Sequence, residues 1–356
     1  MDKLFSPVKV GSITIKNRFM RSPCFMNGCD VDGLPKPWLL KYYKDMADGQ
    51  MGLIIPEYLY VQRSGRACEG QGGMENDKQA EAWKSTVDYM HKRGTKTLFQ
   101  IADAGLTTEF RFTGERPRGP SPLQPGSRAM TLMEISEVID KYRQCAKRLQ
   151  QVGVDGIELH GAHGYLISSF LSPMTNHRED QYGGSPENRR RILVEIVDAI
   201  RKECGKDFVI GIKINGDDCK AGNPGIMPND LAATMAAIPD MDLWEVSCGF
   251  QEASTTIRST NRIMRRKDFP LKEGYNVPII TIVRKTTKAA IGVVGGIRKT
   301  ETMIKALEEG ADLISLGRPT IADTHVVQHI REGKKMKCIS CGQCIMKGEQ
   351  QVKCWI

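Results

Sequence analysis

The chain of 356 residues is 40% hydrophobic and 26% charged, which excludes an intrinsically disordered protein and allows a large core, in one barrel or two ordinary domains. No run of about 18 uncharged apolar residues occurs, and Asp2 and Lys3 precede strand-like residues, so we expect no membrane span, no signal peptide and a cytoplasmic location. The net charge of +9 comes from Lys and Arg dispersed among Asp and Glu, which argues against nucleic acid binding and suits a negatively charged cofactor or substrate.

Short apolar runs alternate with amphipathic helical patterns along the chain, and no Gly/Pro-rich linker divides it. We predict eight strands, at 19–24, 53–58, 97–101, 154–159, 209–214, 243–246, 290–294 and 313–316. We predict seven helices between them, at 37–48, 77–93, 132–151, 187–203, 228–237, 278–287 and 299–308. This alternation in a chain of this size predicts an α/β fold, the (β/α)8 TIM barrel.

Polar or backbone-exposing residues stand where the predicted strands end: Pro23, Cys24, Glu57, Tyr58, Gln100, His160, Lys213, Ser247, Gly295, Gly296, Gly317 and Arg318. In a barrel, the carboxyl ends of the strands and the loops after them form the active site. Three long segments rich in Gly and Pro, at 103–130, 216–228 and 249–274, follow strands. We expect them to lie over the same face as lids or binding walls.

The fourth predicted strand ends in a group of aromatic and imidazole side chains. His160 and His163, two of only six His in the chain, lie three residues apart beside Tyr165. Their place just past a strand end favours catalysis over a purely structural hydrogen-bonding role. A zinc site is the nearest alternative, but the pair has no neighbouring Cys or carboxylate ligand in the sequence.

Glycine turns follow the last two predicted strands, at Gly295-Gly296 and at Gly317-Arg318. Glycine lets backbone amides approach a phosphate closely, and barrels often bind phosphate at these two loops. The pattern predicts a phosphorylated cofactor. Phosphosugar-binding and purine-binding barrels share it, and tight turns without a ligand are the structural alternative.

Four of the eleven Cys crowd into the last 19 residues, as Cys338-x2-Cys341-x2-Cys344-x9-Cys354. Because no export signal is present, we expect reduced thiols rather than disulfides. Four thiolates at this spacing are able to bind a tetrahedral zinc ion or an iron–sulfur cubane. We therefore predict a division into a barrel, residues 1–335, and a cysteine-rich tail, residues 336–356.

Several segments together resemble the old yellow enzyme family of flavin-dependent reductases. They are L-F-x-P-x-x-x-G-x-x-x-x-x-N-R at 4–18, Ser22-Pro23, H-x-x-H-G-Y-L at 160–166, F-L-S-P at 170–173 and N-x-R-x-D-x-Y-G-G-S-x-x-N-R at 176–189. The resemblance covers nearly the whole predicted barrel and implies FMN as the cofactor. It implies contacts with the flavin ring for Ser22, Pro23, Cys24, Phe25, Tyr58, Gln100 and Lys213, and with the phosphate for Gly295, Gly296, Gly317 and Arg318.

The resemblance also implies an ene-reductase reaction in two halves. NADH or NADPH would reduce the flavin, which would then pass hydride to the β-carbon of an activated alkene, such as an α,β-unsaturated carbonyl compound or an enoate. His160 and His163 would donate hydrogen bonds to the substrate oxygen, and Tyr165 would protonate the α-carbon. Asn27 stands where one branch of the family places a Tyr that contacts substrate.

A barrel followed by cysteines resembles the cluster-bearing branch that includes 2,4-dienoyl-CoA reductase and trimethylamine dehydrogenase. That resemblance implies a [4Fe-4S] cluster, with zinc as the alternative. Two other functions stay open: an electron-transfer subunit of a larger oxidoreductase, and a flavin-free lyase that uses Lys213 as a Schiff-base nucleophile. As partners we expect a small unsaturated molecule, NAD(P)H or an electron-donor protein, and a second copy of the chain in a homo-oligomer, but neither nucleic acid nor a membrane.

Overall fold

Eight parallel strands form a closed barrel in the structure, a computed structural model that describes residues 1–218, 225–249, 273–345 and 351–355. The strands are β1 Phe19–Arg21, β2 Leu53–Ile54, β3 Lys96–Ala102, β4 Gly156–Gly161, β5 Val209–Asn215, β6 Leu243–Ser247, β7 Ala290–Val293 and β8 Leu313–Leu316. Each pairs in parallel with the next along the chain, and β8 pairs with β1 to close the ring. The predicted TIM barrel is confirmed.

Helices alternate with these strands and pack around them. They are α1 Pro37–Asp48, α2 Asp77–Lys92, α3 Leu132–Gln151, α4 Pro186–Cys204, α5 Pro228–Ala237, α6 Val277–Val283, α7 Thr300–Glu308, α8 Arg318–Ala322 and α9 Val326–Arg331. Side-chain caps fix where three of them begin. Asn76 and Thr131 form capping boxes for α2 and α3, and Ser185 accepts from the Asn188 amide before α4.

Prolines shorten two of the predicted strands. The strand predicted at 19–24 ends at Arg21, two residues before Pro23, and the strand predicted at 53–58 ends at Ile54, before Pro56. Because proline has no amide hydrogen, it cannot donate to a ladder inside a sheet. The prediction of a strand over 55–58 was therefore wrong, and Leu59–Tyr60, just beyond it, forms a separate strand that pairs with the end of β3.

Three aspartates secure the amino-terminal end of the barrel by the same device. Asp155, Asp242 and Asp312 stand directly before β4, β6 and β8. Each carboxylate accepts a 2.9 Å hydrogen bond from an amide of the preceding barrel strand, at Thr97, Ile210 and Ile291 respectively. Each also pairs with a basic side chain. Asp155 pairs with His91 and Lys96, Asp242 with Arg201, and Asp312 with Arg284. This end of the barrel therefore holds its strands by ion pairs.

The segments after the strands cover the opposite, carboxyl-terminal end. The predicted loop at 103–130 contains the short helix Phe110–Thr113 and a two-stranded pair, Arg118–Gly119 with Arg128–Ala129. The predicted loop at 216–228 lies partly outside the described residues, and the loop at 249–274 lies almost wholly outside them.

The tail contacts the barrel next to the loop after β1. The Val352 amide donates to the Met26 carbonyl at 3.1 Å, and the side chains of Met336 and Val352 pack against the main core. The domain boundary between 335 and 336 stays a prediction. Within the described parts of the chain, no helix is both long enough and apolar enough to cross a membrane.

Candidate active site

The chain turns sharply after β4 and brings His160, His163 and Tyr165 together. His163 and Gly164 both have positive φ, at 62° and 80°, and the short helix Leu166–Leu171 begins directly after Tyr165. The His160 ring lies 5.2 Å from the His163 ring and 4.3 Å from the Tyr165 ring, measured between centroids. The predicted catalytic residues thus form one cluster at the mouth of the barrel.

Tyr58, which follows β2, completes an aromatic wall around this cluster. Its ring centroid lies 5.8 Å from that of His160 and 5.6 Å from that of Tyr165. Phe25 contacts Tyr58 from the loop after β1, with centroids 6.1 Å apart. The Tyr58 hydroxyl also lies 3.8 Å from the Cys68 thiol, a neighbour that sequence reasoning did not single out.

Both imidazoles are held neutral. Burial, followed by repulsion from Lys213, lowers the pKa of His163 to about 3. Burial, together with the nearby His163 and Lys213, also lowers the pKa of His160 well below its ordinary value. His160 Nδ1 accepts a 3.4 Å hydrogen bond from the Ala162 amide, so the ring proton sits on Nε2 and is available to a ligand. His163 Nε2 lies 3.0 Å from Ser247 Oγ.

Tyr165 keeps its phenolic proton at neutral pH. The residue is only 6% exposed, and burial raises the pKa of its phenol above the ordinary value of 10. The neighbouring Cys68 raises the pKa of Tyr165 further, whereas a side-chain hydrogen bond with Tyr58 opposes the rise. A protonated phenol beside two neutral imidazoles offers a proton donor next to two hydrogen-bond donors.

Lys213 points into the barrel mouth from β5 and is already well partnered. Its ammonium donates to Ser22 Oγ at 2.8 Å and to the Pro23 carbonyl at 3.3 Å. It also forms a buried ion pair with Glu245, at 3.1 Å from Oε2. The structure therefore brings together Ser22, Pro23 and Lys213, as the sequence predicted, and adds an unforeseen carboxylate from β6.

A second buried carboxyl, Glu158, lies next to Gln100. Gln100 Nε2 donates to Glu158 Oε2 at 2.8 Å across the β3–β4 pairing. Burial, followed by repulsion from Glu245, raises the pKa of Glu158 well above its usual range, although Lys213 opposes this. Glutamates inside apolar strands are costly to bury, and that pattern was the sequence signal that could have identified Glu158 and Glu245.

The glycine turns after β7 and β8 have conformations or close contacts that favour glycine. Gly295 and Gly296 have φ of 141° and 67°, and a Cβ on Gly317 would lie 3.0 Å from Cys24 Sγ. Among the described residues, the amides of Gly296 and Gly317 donate to no backbone carbonyl. Unused amides here, with Lys213 and Gln100 across the mouth, fit the phosphate and the ring of FMN.

The remaining predicted contacts spread to either side of this mouth. Cys24 Sγ lies 3.4 Å from the Ser22 carbonyl and beside Gly317, so Phe25 rather than Cys24 faces Tyr58. Asn27 lies against Gly70, where a Cβ would come within 1.7 Å of its side-chain oxygen. Arg318 Nη1 donates to the Ser340 carbonyl at 3.4 Å, toward the tail. The flavin and substrate contacts of these residues stay predictions.

The four tail cysteines line a single cavity next to the barrel. Cys338, Cys341, Cys344 and Cys354 share it with Arg318. Within the described ranges, however, no three His, Cys, Asp or Glu side chains are close enough together to hold a metal ion. The donor chemistry suits an iron–sulfur cluster or zinc, but the positions of the thiols do not form a closed ligand set. The predicted metal site is therefore not confirmed.

Comparison with known proteins places this barrel in a family. Residues 3–337 match the model of the NADH:flavin oxidoreductase / NADH oxidase family. An NADPH dehydrogenase of Listeria welshimeri is 32% identical over 100% of both chains, and an NADH oxidase of Thermoanaerobacter brockii is 34% identical over 95% of this chain. This chain spans 52% of the length of that NADH oxidase.

Solved structures agree with this assignment. A 2-naphthoyl-CoA reductase, 26% identical, superposes on 99% of this chain with a TM-score of 0.89, and 56% of that longer chain is covered. An old yellow enzyme homologue from Zymomonas mobilis, also 26% identical, covers 95% of this chain and 96% of its own, with a TM-score of 0.78. The resemblance to 2,4-dienoyl-CoA reductase and trimethylamine dehydrogenase stays a prediction. The family match, the full-length relatives and the confirmed fold agree: the chain belongs to the NADH:flavin oxidoreductase / NADH oxidase family, and its resemblance to the old yellow enzymes is confirmed.

Proposed function

We propose that the protein is an FMN-dependent ene-reductase that uses NADH or NADPH to reduce a C=C bond conjugated to an electron-withdrawing group. The observation that carries this proposal is the cluster of His160, His163 and Tyr165 at the barrel mouth, where the Tyr165 ring lies 4.3 Å from the His160 ring. FMN, when bound, would supply the hydride that reaches the β-carbon of the alkene. The names of the relatives, NADH oxidase and NADPH dehydrogenase, support a nicotinamide as the electron donor.

The two imidazoles suit the charge that develops on the substrate. As hydride arrives at the β-carbon, negative charge grows on the conjugated carbonyl oxygen, and neutral N–H groups stabilise it without a proton being lost. His160 offers Nε2–H for this role. His163 offers Nδ1–H when Ser247 donates to its Nε2, so Ser247 is a positioning residue that selects the useful tautomer.

Tyr165 is suited to complete the reduction by giving its proton to the α-carbon. Its raised pKa keeps the proton on the phenol until the electron-rich α-carbon forms. The resulting phenolate would be reprotonated from solvent. Lys213 provides positive charge near the proposed ring site, which favours the anionic reduced flavin.

The environment of Lys213 speaks against the lyase alternative. A Schiff-base lysine must present a neutral amine to a carbonyl carbon. Here the ammonium donates to Ser22 Oγ and the Pro23 carbonyl and forms an ion pair with Glu245. An ammonium held by two acceptors and a carboxylate is a poor nucleophile, so the geometry favours an electrostatic role.

The decisive test of the proposal is kinetic and optical. The purified protein should be yellow and release one FMN per chain, and anaerobic mixing with NADH or NADPH should bleach the flavin. A panel of enones, enoates and enoyl thioesters should then restore the colour, each at its own rate; the thioesters are included because one structural relative is an aryl-CoA reductase. A colourless protein that FMN does not reconstitute would end the proposal.

We further propose that the four tail cysteines would hold a [4Fe-4S] cluster, which would supply a one-electron relay beside the barrel. The support is the single cavity that all four cysteines line, and the contact of the tail with the loop after β1 through Val352 and Met26. Anaerobically prepared protein should contain about four iron and four sulfide per chain, and Cys341→Ser should abolish both. Cys204→Ser, on the far side of the barrel at the end of α4, is the control. If the protein contains zinc and no sulfide, the site is structural, and Cys341→Ser should then lower the thermal stability of the protein.

A further inference from the structure

We propose that Glu158 and Glu245 share one proton inside the barrel, with Glu158 protonated and Glu245 ionised, and that Glu245 sets the flavin reduction potential by neutralising Lys213. The second half of this inference rests on the proposed function, because it places the flavin beside Lys213. The first half concerns the protein alone. Both carboxyl groups are completely buried in the barrel interior, on the strands that flank β5.

The contacts of Glu245 are those of a carboxylate anion. The Lys213 ammonium lies 3.1 Å from its Oε2, and the Ser315 hydroxyl donates to its Oε1. A buried anion needs a cation and hydrogen-bond donors to offset its desolvation, and Glu245 has both. The β5–β6 register places Lys213 directly beside Glu245, so the pair is built into the sheet.

The contacts of Glu158 are those of a neutral acid. Its Oε2 accepts one hydrogen bond, from the neutral amide of Gln100, and no ion pair to Glu158 occurs among the described residues. Its Oε1 is buried without a hydrogen-bond partner, and so is Glu245 Oε2 apart from its ion pair with Lys213. A proton on Glu158 Oε1 makes this oxygen a hydrogen-bond donor, and Glu245 Oε2 is then its acceptor.

The charge balance leads to the same assignment. Lys213 is the one cation among the described residues that interacts with this carboxyl pair, and two buried anions with a single cation would leave a net negative charge in the core. One proton removes that charge. Burial, followed by repulsion from Glu245, raises the pKa of Glu158, in agreement with the proton residing there.

The ion pair with Glu245 reduces the net positive charge near the proposed flavin site. Lys213 presents its positive charge to the proposed ring site with Glu245 beside it, so the pair as a whole is neutral. The reduced flavin anion is then stabilised less than it would be by an unpaired lysine, and the potential is held low. Glu245 is thus a positioning residue, since it acts on the flavin through Lys213.

Flavin potentials of Glu158→Gln and of the double variant Glu158→Gln/Glu245→Gln test the assignment. Glu158→Gln replaces one neutral group by another of the same shape and should leave the potential near that of the wild type. The double variant leaves Lys213 without a carboxylate. It should favour the reduced flavin at least tenfold, a rise of about 30 mV for a two-electron couple. A rise of that size in Glu158→Gln alone, or none in the double variant, overturns the inference.

Infrared spectroscopy tests the proton without any flavin. The wild-type protein should show a protonated carboxyl band that shifts in deuterated water, and Glu158→Gln should remove part of it. Glu57, whose pKa burial raises to about 7, contributes its own band, so the measured quantity is the difference between the two proteins. An unchanged band overturns the inference even if FMN binds. If the wild-type protein binds no FMN but Glu158→Gln still removes part of the band, the shared proton is supported and only the proposed function is refuted.

Discussion

The two ends of the barrel hold their charged side chains in opposite ways. At the amino-terminal end are three aspartates, Asp155, Asp242 and Asp312. Each accepts a hydrogen bond from a backbone amide and pairs with a basic side chain. In the carboxyl-terminal half, burial lowers the pKa of His160 and raises the pKa of Glu158, which favours the uncharged form of each group. One end uses charge to fix strands, whereas the other suppresses charge on groups suited to proton transfer and hydrogen bonding.

This contrast teaches how the fold separates stability from chemistry. Groups with perturbed protonation are expensive to bury, and proteins retain them chiefly where they serve a reaction. Ion pairs at the other end stabilise the strands that carry the site without touching it. Substitutions at the carboxyl-terminal end should therefore change rates more than stability, and substitutions at the amino-terminal end should do the reverse.

The largest kinetic effect is expected from Tyr165→Phe, which keeps the ring and removes the acid proton. Reoxidation of the flavin by a weakly activated alkene should slow roughly 10²- to 10⁴-fold, while reduction by NAD(P)H stays near that of the wild type. Nitroalkenes should suffer less, because their products are protonated later in solution. Stopped-flow measurement of the two half-reactions separates these effects.

Tyr42→Phe is a matched control for this substitution. The Tyr42 hydroxyl donates to the Thr320 carbonyl outside the aromatic wall, so its loss removes a phenol without touching the proposed chemistry. If Tyr165→Phe slows both half-reactions equally, or neither, then Tyr165 is a packing residue and the proton has another source.

His163→Ala should have the next largest effect on rate. Loss of one donor to the developing oxyanion costs roughly 2.7 to 4 kcal/mol, which corresponds to about 10²- to 10³-fold in the alkene half-reaction. Ser247→Ala should slow the alkene half-reaction less than His163→Ala does. It removes only the hydrogen bond that selects the tautomer of His163. A Ser247→Ala protein slower than His163→Ala would show that Ser247 itself contacts the substrate.

The position of the site was predictable from sequence, because strand ends carry Gln100, His160 and Lys213 in a chain whose periodicity indicates a barrel. The partners of these residues were not. The contact of Lys213 with Glu245 depends on the register of β5 and β6, which joins residues that are distant in sequence. Likewise, the backbone after Pro23 decides that Phe25 rather than Cys24 faces Tyr58. Local patterns predict elements and their ends, whereas register and turn geometry select the contacts.

The smallest kinetic effect, and a measurable loss of stability, is expected from Asp242→Asn at the amino-terminal end. Its Oδ2 accepts from the Ile210 amide and pairs with Arg201, both at 2.9 Å. An amide oxygen still accepts the backbone bond but lacks the charge that attracts Arg201, so the free energy of unfolding should fall by about 1 to 2 kcal/mol. Urea unfolding measures this loss, and Asp88→Asn, on the exposed face of α2, serves as the control.

Both flavin half-reactions of Asp242→Asn should run at wild-type rates, because the substitution lies at the end of β6 opposite to Ser247. The same strand thus provides a direct comparison, with Asp242 before it and Ser247 at its carboxyl end. If Asp242→Asn slowed alkene reduction as much as Ser247→Ala, strain would pass along β6 and the two ends of the barrel would not be independent. If it lowered stability alone, the ion pairs of one end would support a site to which they contribute no chemistry.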